Sequence, residues 1–155
     1  MTPTMTAALL DYYEDDVALQ TLLGSGADDV RIAYATLPII YPSVTLHLDR
    51  DEALPRLGYD TNGVSDFSVS LALHVWTRDE GKIIGTGQSA VAYDANSLQL
   101  AIAERVRILS LNIDKTIAGL RDLAFSAIPL PFEEDVHIHH TACLLKFTYA
   151  AVDVL

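Results

Sequence analysis

Cysteine is nearly absent: the 155-residue chain holds one, Cys143. That excludes an internal disulfide framework and a structural zinc site built from several thiolates. A lone thiol also fits synthesis in a reducing cytoplasm. Positive charge is scarce as well. Ten Lys and Arg stand against 21 Asp and Glu, for a formal net charge of −11. General affinity for nucleic acid or for an anionic membrane needs clustered positive charge, and none is visible. No basic segment opens the chain, and acidic residues begin at Asp11, which argues against a secretory leader. A membrane-spanning run is missing too. The longest charge-free apolar stretch, 32–48, contains Pro38 and Pro42 and sits among strand-forming residues.

What the chain does have is core-forming material. Half of its residues (50%) are apolar, and the mean hydropathy is +0.25. That argues against disorder, and the length suits one domain spanning 1–155. Residues 5–23 read as helix in two pieces. Leu9, Leu10, Tyr13 and Val17 fall at helical spacing, Asp15 or Asp16 caps a second piece carrying Leu19, Leu22 and Leu23, and Gly24-Ser25-Gly26 stops it. Residues 30–34 read as a short strand, followed by a proline-stiffened connection over 37–42. Residues 43–49 alternate, with Val44, Leu46 and Leu48 on one side. Residues 50–65 break the alternation and read as a long polar loop.

The clearest element is 66–78. Phe67, Val69, Leu71, Leu73 and Val75 occupy one face in strict period two; Ser68, Ser70, Ala72, His74 and Trp76 occupy the other. Arg78-Asp79-Glu80-Gly81 reads as a turn, and 82–93 is ambiguous between loop and short strand. Residues 94–111 form the main helix, with Leu98, Ile102, Val106, Leu109 and Ile113 as a continuous stripe. Another turn or two follows over 114–123, then a strand over 123–130. The final strand, 136–151, shows Val136 and Ile138 in one phase and Leu145, Phe147 and Tyr149 in the other, which predicts a β-bulge near Thr141. The expected fold class is α+β: a mostly antiparallel twisted sheet, with one main helix and the N-terminal helical segment packed on one face.

Candidate chemistry is sparse. His137 and His139, two residues apart on a strand, would share a face and suit a metal pair, with Glu133, Glu134 and Asp135 just before them. No second cluster supplies the remaining ligands, and His47 and His74 stand alone, so a solvated strand is the preferred reading. Cys143 lies in T-A-C-L-L-K-F at strand spacing, the setting of a small buried hydrophobe rather than a nucleophile. Gly81, Gly85 and Gly87 match neither the dinucleotide fingerprint nor the phosphate loop. Acidic runs at 14–16, 49–52 and 133–135 read as solvated faces. No catalytic, cofactor-binding or metal residue is assigned. Trp76, on the polar side of its strand, points instead to coverage by another element or to a subunit contact.

Leu22-Leu23-Gly24, Tyr41-Pro42-Ser43-Val44-Thr45-Leu46 and Leu73-His74-Val75-Trp76-Thr77-Arg78, in this order of elements, resemble the tail terminator (tail completion, minor tail) family of long-tailed bacteriophages. The glycine-bearing 81–93 stretch is longer than that family's usual link from strand to helix. The resemblance implies a non-enzymatic virion protein, made in the host cytoplasm and located in the tail or neck. It implies a homo-oligomeric ring, expected to be a hexamer, that caps the tail tube protein, ends tube growth and meets the head–neck connector. DNA would pass through the lumen without specific binding, and negative charge on the lumen would keep it from sticking. Ring contacts are expected at the Trp76, Arg78, Asp79 and Glu80 turn and in the 50–65 loop, with Arg50 and Arg56. The alternatives are another neck or head–tail connector protein, and a small metal-dependent enzyme built on the 133–140 acidic and histidine cluster.

Overall fold

The computed structural model describes residues 1–24, 31–35, 38, 40–54, 66–78, 82–130 and 137–150. Two helices open the chain, α1 (Pro3–Glu14) and α2 (Val17–Leu23). Thr2 caps α1, its hydroxyl accepting from the Met5 amide at 3.2 Å, and Pro3 occupies the first turn where no amide donor is needed. Of the two aspartates proposed as the second cap, Asp16 takes the role and accepts from the Leu19 amide at 2.7 Å. Gly24 ends α2 at φ 84°, a conformation that costs other residues a steric penalty.

A five-stranded sheet follows. Its strands are β1 (Ile32–Tyr34), β2 (Ser43–Leu54), β3 (Asp66–Arg78), β6 (Arg121–Pro129) and β7 (Ile138–Ala150), in the order β1-β2-β3-β7-β6. β1 runs parallel to β2; every other neighbouring pair is antiparallel. Between β3 and the main helix, β4 (Lys82–Ile84) and β5 (Val91–Tyr93) form a separate two-stranded hairpin, joined through a 3-10 turn at Gly87–Ser89. The glycine-bearing stretch is therefore a hairpin. α3 (Ala95–Ser110) starts with a reciprocal cap: Asp94 accepts from the Ser97 amide at 2.7 Å, and the Ser97 hydroxyl accepts from the Asp94 amide at 3.0 Å.

The helices lie on one side of the sheet, with α3 packed across β3, β7 and β6. The α3 stripe, Leu98, Ile102, Val106, Leu109 and Ile113, is buried as its spacing predicts. It meets Val69, Leu71, Leu73 and Val75 of β3 and Leu145, Phe147 and Tyr149 of β7, all buried. Each such side chain contributes about 1.5–3 kcal/mol by leaving water. Tyr13 is fully buried, and its hydroxyl bonds Ser110 at 2.7 Å, tying α1 to the end of α3.

Several expectations need correction. Val17 is 73% exposed, because α1 stops at Glu14 and a new helix axis begins before Val17. Residues 50–54 are not loop; β2 runs on to Leu54 beside β3. No bulge interrupts β7 near Thr141, since its register with β3 is continuous from Ile138 to Ala150. Ile138 faces away from the helices, and the apparent phase change reflects apolar residues on both faces. Irregularities sit instead in β2, between Leu48 and Arg50, and in β6, between Arg121 and Ala124. Among the described residues no helix is long and apolar enough to cross a membrane.

Candidate interaction surface

The side of the sheet away from the helices is built from alternate residues of four strands. β3 presents Ala72, His74 and Trp76 outward, β7 presents His140, Ala142 and Leu144, β2 presents Thr45 and His47, and β6 presents Ser126 and Ile128. The register sets Trp76 opposite His140 and His74 opposite Thr45. The Trp76 and His140 rings stack with centroids 3.7 Å apart and planes at 8°. His74 Nδ1 and His140 Nε2 are 2.6 Å apart, so one ring donates its N–H and the other accepts. His47 meets His74 edge to face at 5.4 Å. The Trp76 indole N–H donates to the Thr45 hydroxyl at 3.0 Å.

Burial, and then the neighbouring His74, pulls the His140 imidazolium down to about 4. His74 is lowered as well, by burial first and then by His47. Both shifts favour neutral rings, one nitrogen donating and the other accepting across the shared hydrogen bond. A His–His contact of this kind fails when both rings carry protons.

Of the residues expected at ring contacts, Trp76, Arg78 and Arg50 are described; Asp79, Glu80 and Arg56 lie outside the described residues. Trp76 is half-buried under its own neighbours. Arg78 ends β3 exposed, with its guanidinium 5.7 Å above the Tyr41 ring. Arg50 is exposed on β2, 3.7 Å from Glu52. It pairs with Ser70, so it sits about 20 Å along the sheet from Trp76 at the usual strand rise. The structure groups Trp76 with Arg78 and leaves Arg50 apart.

The metal reading loses its geometry. His137 precedes β7 in a turn with φ 54°, so His137 and His139 are not neighbours on one strand face. Glu133, Glu134 and Asp135 lie outside the described residues, among which no group of three or more His, Cys, Asp and Glu is arranged to hold a metal ion. Cys143 is 2% exposed on the helix side of β7, and burial pushes its thiol up to about 12, far from a nucleophilic thiolate.

Sequence reasoning missed the pairing of His74 with His140. His74 and Trp76 share a face by alternation alone, but His140 joins them only through the β3–β7 register. It also missed the exposed edge of the sheet. Among the described residues β6 has a partner on one side only, and Ile128 is 62% and Leu130 40% exposed beside it.

No family model matches the chain, and no curated protein does. Twenty chains of solved structures match it in fold. One belongs to a virion of a native gene transfer agent (GTA) particle, with a TM-score of 0.57, 14% identity, and 95% of each chain covered. At that identity the likeness is one of fold.

Proposed function

We propose that this chain is a non-enzymatic virion component of the tail terminator type. As a homo-oligomeric ring, expected to be a hexamer, it caps the tail tube, ends tube polymerisation and joins the tail to the head–neck connector, while DNA passes without specific binding. The observation that carries this reading is the fold likeness to a chain of a gene transfer agent virion over 95% of both chains. The order of elements and the motifs at 22–24, 41–46 and 73–78 support the finer assignment. Ring contacts are proposed at the Trp76–Glu80 turn and along 50–65, where Arg50 lies on an exposed strand end.

The test is the mass of the purified protein by light scattering after size exclusion, at two concentrations, with negative-stain images and a tail-tube binding assay. A mass near six chains, a ring in the images and capture by tail tube protein are expected. A single-chain mass together with no tube binding refutes the terminator reading. Capture by a portal-side protein instead of the tube protein supports a neighbouring neck component. Stoichiometric tightly bound transition metal, with loss of stability on chelation, would favour the enzyme alternative.

A further inference from the structure

The two edges of the five-stranded sheet are only partly blunted, β1 by its length of three residues and β6 by Pro129 and an irregularity. Isolated edges are blunted by charge, proline or bulges, because a row of unpaired backbone groups invites another strand. β6 has such a device at its start, where the irregularity between Arg121 and Ala124 leaves Asp122 at φ 54°. Beyond it, 124–128 reads A-F-S-A-I, with no charged residue up to Leu130. Ala124, Ser126, Ala127 and Ile128 are all exposed. On the helix side this edge borders a groove of about 190 Å³, whose lining joins apolar Leu100, Phe125, Ala127 and Pro129 to the Glu104–Arg107 ion pair. Leu100 is itself 52% exposed. The opposite edge, β1, is I-A-Y, also uncharged, and among the described residues only β2 pairs with it.

The register places these two edges at the same height. Ile128, Ala142, His74, Thr45 and Ala33 form one row across the sheet, and Ala127 to Tyr34 and Pro129 to Ile32 form the rows beside it. β1 and β6 run in opposite directions, since β1 is parallel to β2 and three antiparallel steps lead from β2 to β6. If pairing continues from the β6 edge of one copy to the β1 edge of the next, these rows run on in register and the two edge strands lie antiparallel.

We infer that a second copy of this chain occupies the β6 edge: Ala127, Ile128 and Pro129 of one copy pair antiparallel with β1 of the next, giving a head-to-tail contact that closes into a ring. The contact covers Ile128 and the groove beside α3. This inference rests on the ring reading above and assigns its interface.

The test uses the full chain with Cys143→Ala, carrying Ala33→Cys and Ile128→Cys together or singly. Within one chain these positions lie four strand spacings apart, about 19 Å, so no internal disulfide can form. Mild oxidation of the double variant is expected to yield a ladder of covalent multimers, with each single variant remaining uncross-linked. A second measurement is the mass of Ile128→Glu beside Val17→Glu, which adds the same charge at a 73% exposed site on the helical layer. Ile128→Glu is expected to fall to the mass of one chain with its far-UV circular dichroism unchanged, and Val17→Glu to keep the wild-type mass. A wild-type ring that gives no ladder and survives Ile128→Glu overturns this pairing and leaves the ring reading standing. Dimers from Ile128→Cys alone overturn it in favour of two-fold β6–β6 pairing. A single-chain wild type without a ladder also overturns the pairing, and the tube-binding assay then decides the terminator reading separately.

Discussion

Tyr13 and Ser110 join the first helix to the last turn of α3 through one buried hydrogen bond, and their removal one at a time and together is informative. The two hydroxyls are 2.7 Å apart and both residues are 0% exposed. Burial pushes the Tyr13 phenol well above its ordinary range, so it stays neutral and able to donate. Tyr13→Phe keeps the ring and its packing and removes one oxygen, leaving the Ser110 hydroxyl without that partner in a dry site. A buried polar group orphaned in this way costs about 1–3 kcal/mol. Ser110→Ala orphans the Tyr13 hydroxyl and is expected to cost a similar amount. The double variant orphans nothing, so it should cost at least about 1 kcal/mol less than the sum of the singles. Urea unfolding followed by fluorescence of Trp76, the single tryptophan, measures all four proteins. Trp76 lies on the far face of the sheet, so its signal reports global unfolding rather than the local change. Additivity within about 0.5 kcal/mol would refute the reasoning, since it means that each hydroxyl finds another partner when its mate is removed.

Three further outcomes are expected. Ile102 is 0% exposed at the centre of the α3 stripe and Leu100 is 52% exposed on the same helix; Ile102→Ala should cost about 2–5 kcal/mol in urea unfolding, whereas Leu100→Ala should leave the single chain's stability nearly unchanged. Asp16 both caps α2 and accepts from Arg105 Nε at 2.8 Å, so Asp16→Ala should destabilise more than Arg105→Ala, by about the 1 kcal/mol that a helix cap contributes. Equal losses would mean that the cap contributes nothing. His140 has its pKa drawn below the unfolded value of 6.5 to about 4, so the unfolded chain binds the extra proton; stability is fully present above about pH 6.5 and is lost as the pH falls toward 4. Urea midpoints taken across that window should fall less steeply in His140→Phe than in the wild type, and identical slopes would show that this ring is not the titrating group.

How much of this was legible in the sequence depended on whether one face of an element was clearly wetter than the other. β3 was readable to its end residues because five apolar side chains alternate with small or polar ones, and the helix side is the dry side. The α3 stripe was readable for the same reason at helical period, and Asp16 was one of the two caps proposed for α2. β7 misled because its outward face also carries Ile138, Ala142 and Leu144. When both faces hold apolar residues, alternation no longer says which one is buried, and an apparent change of phase resembles a bulge that is not there. The charged run 49–52 misled in the opposite way. It lies in a stretch of β2 that β1, ending at Tyr34, no longer borders, so charged residues are tolerated in a strand that still pairs with β3.

The site was harder to read than the fold because it depends on register. His74 and His140 are 66 positions apart, and no spacing rule connects them. They meet because β3 and β7 pair without a slip over thirteen residues, which sets Trp76 against His140 and places His74 one diagonal step away. A shift of one residue would turn His140 to the helix side and replace it with His139 or Thr141. The same continuity across β1, β2, β3, β7 and β6 brings two uncharged edges to one height. Burial of the odd-numbered β3 and β7 residues holds that register, so the core that keeps the chain folded also aligns both the histidine cluster and the edges proposed to join one copy to the next.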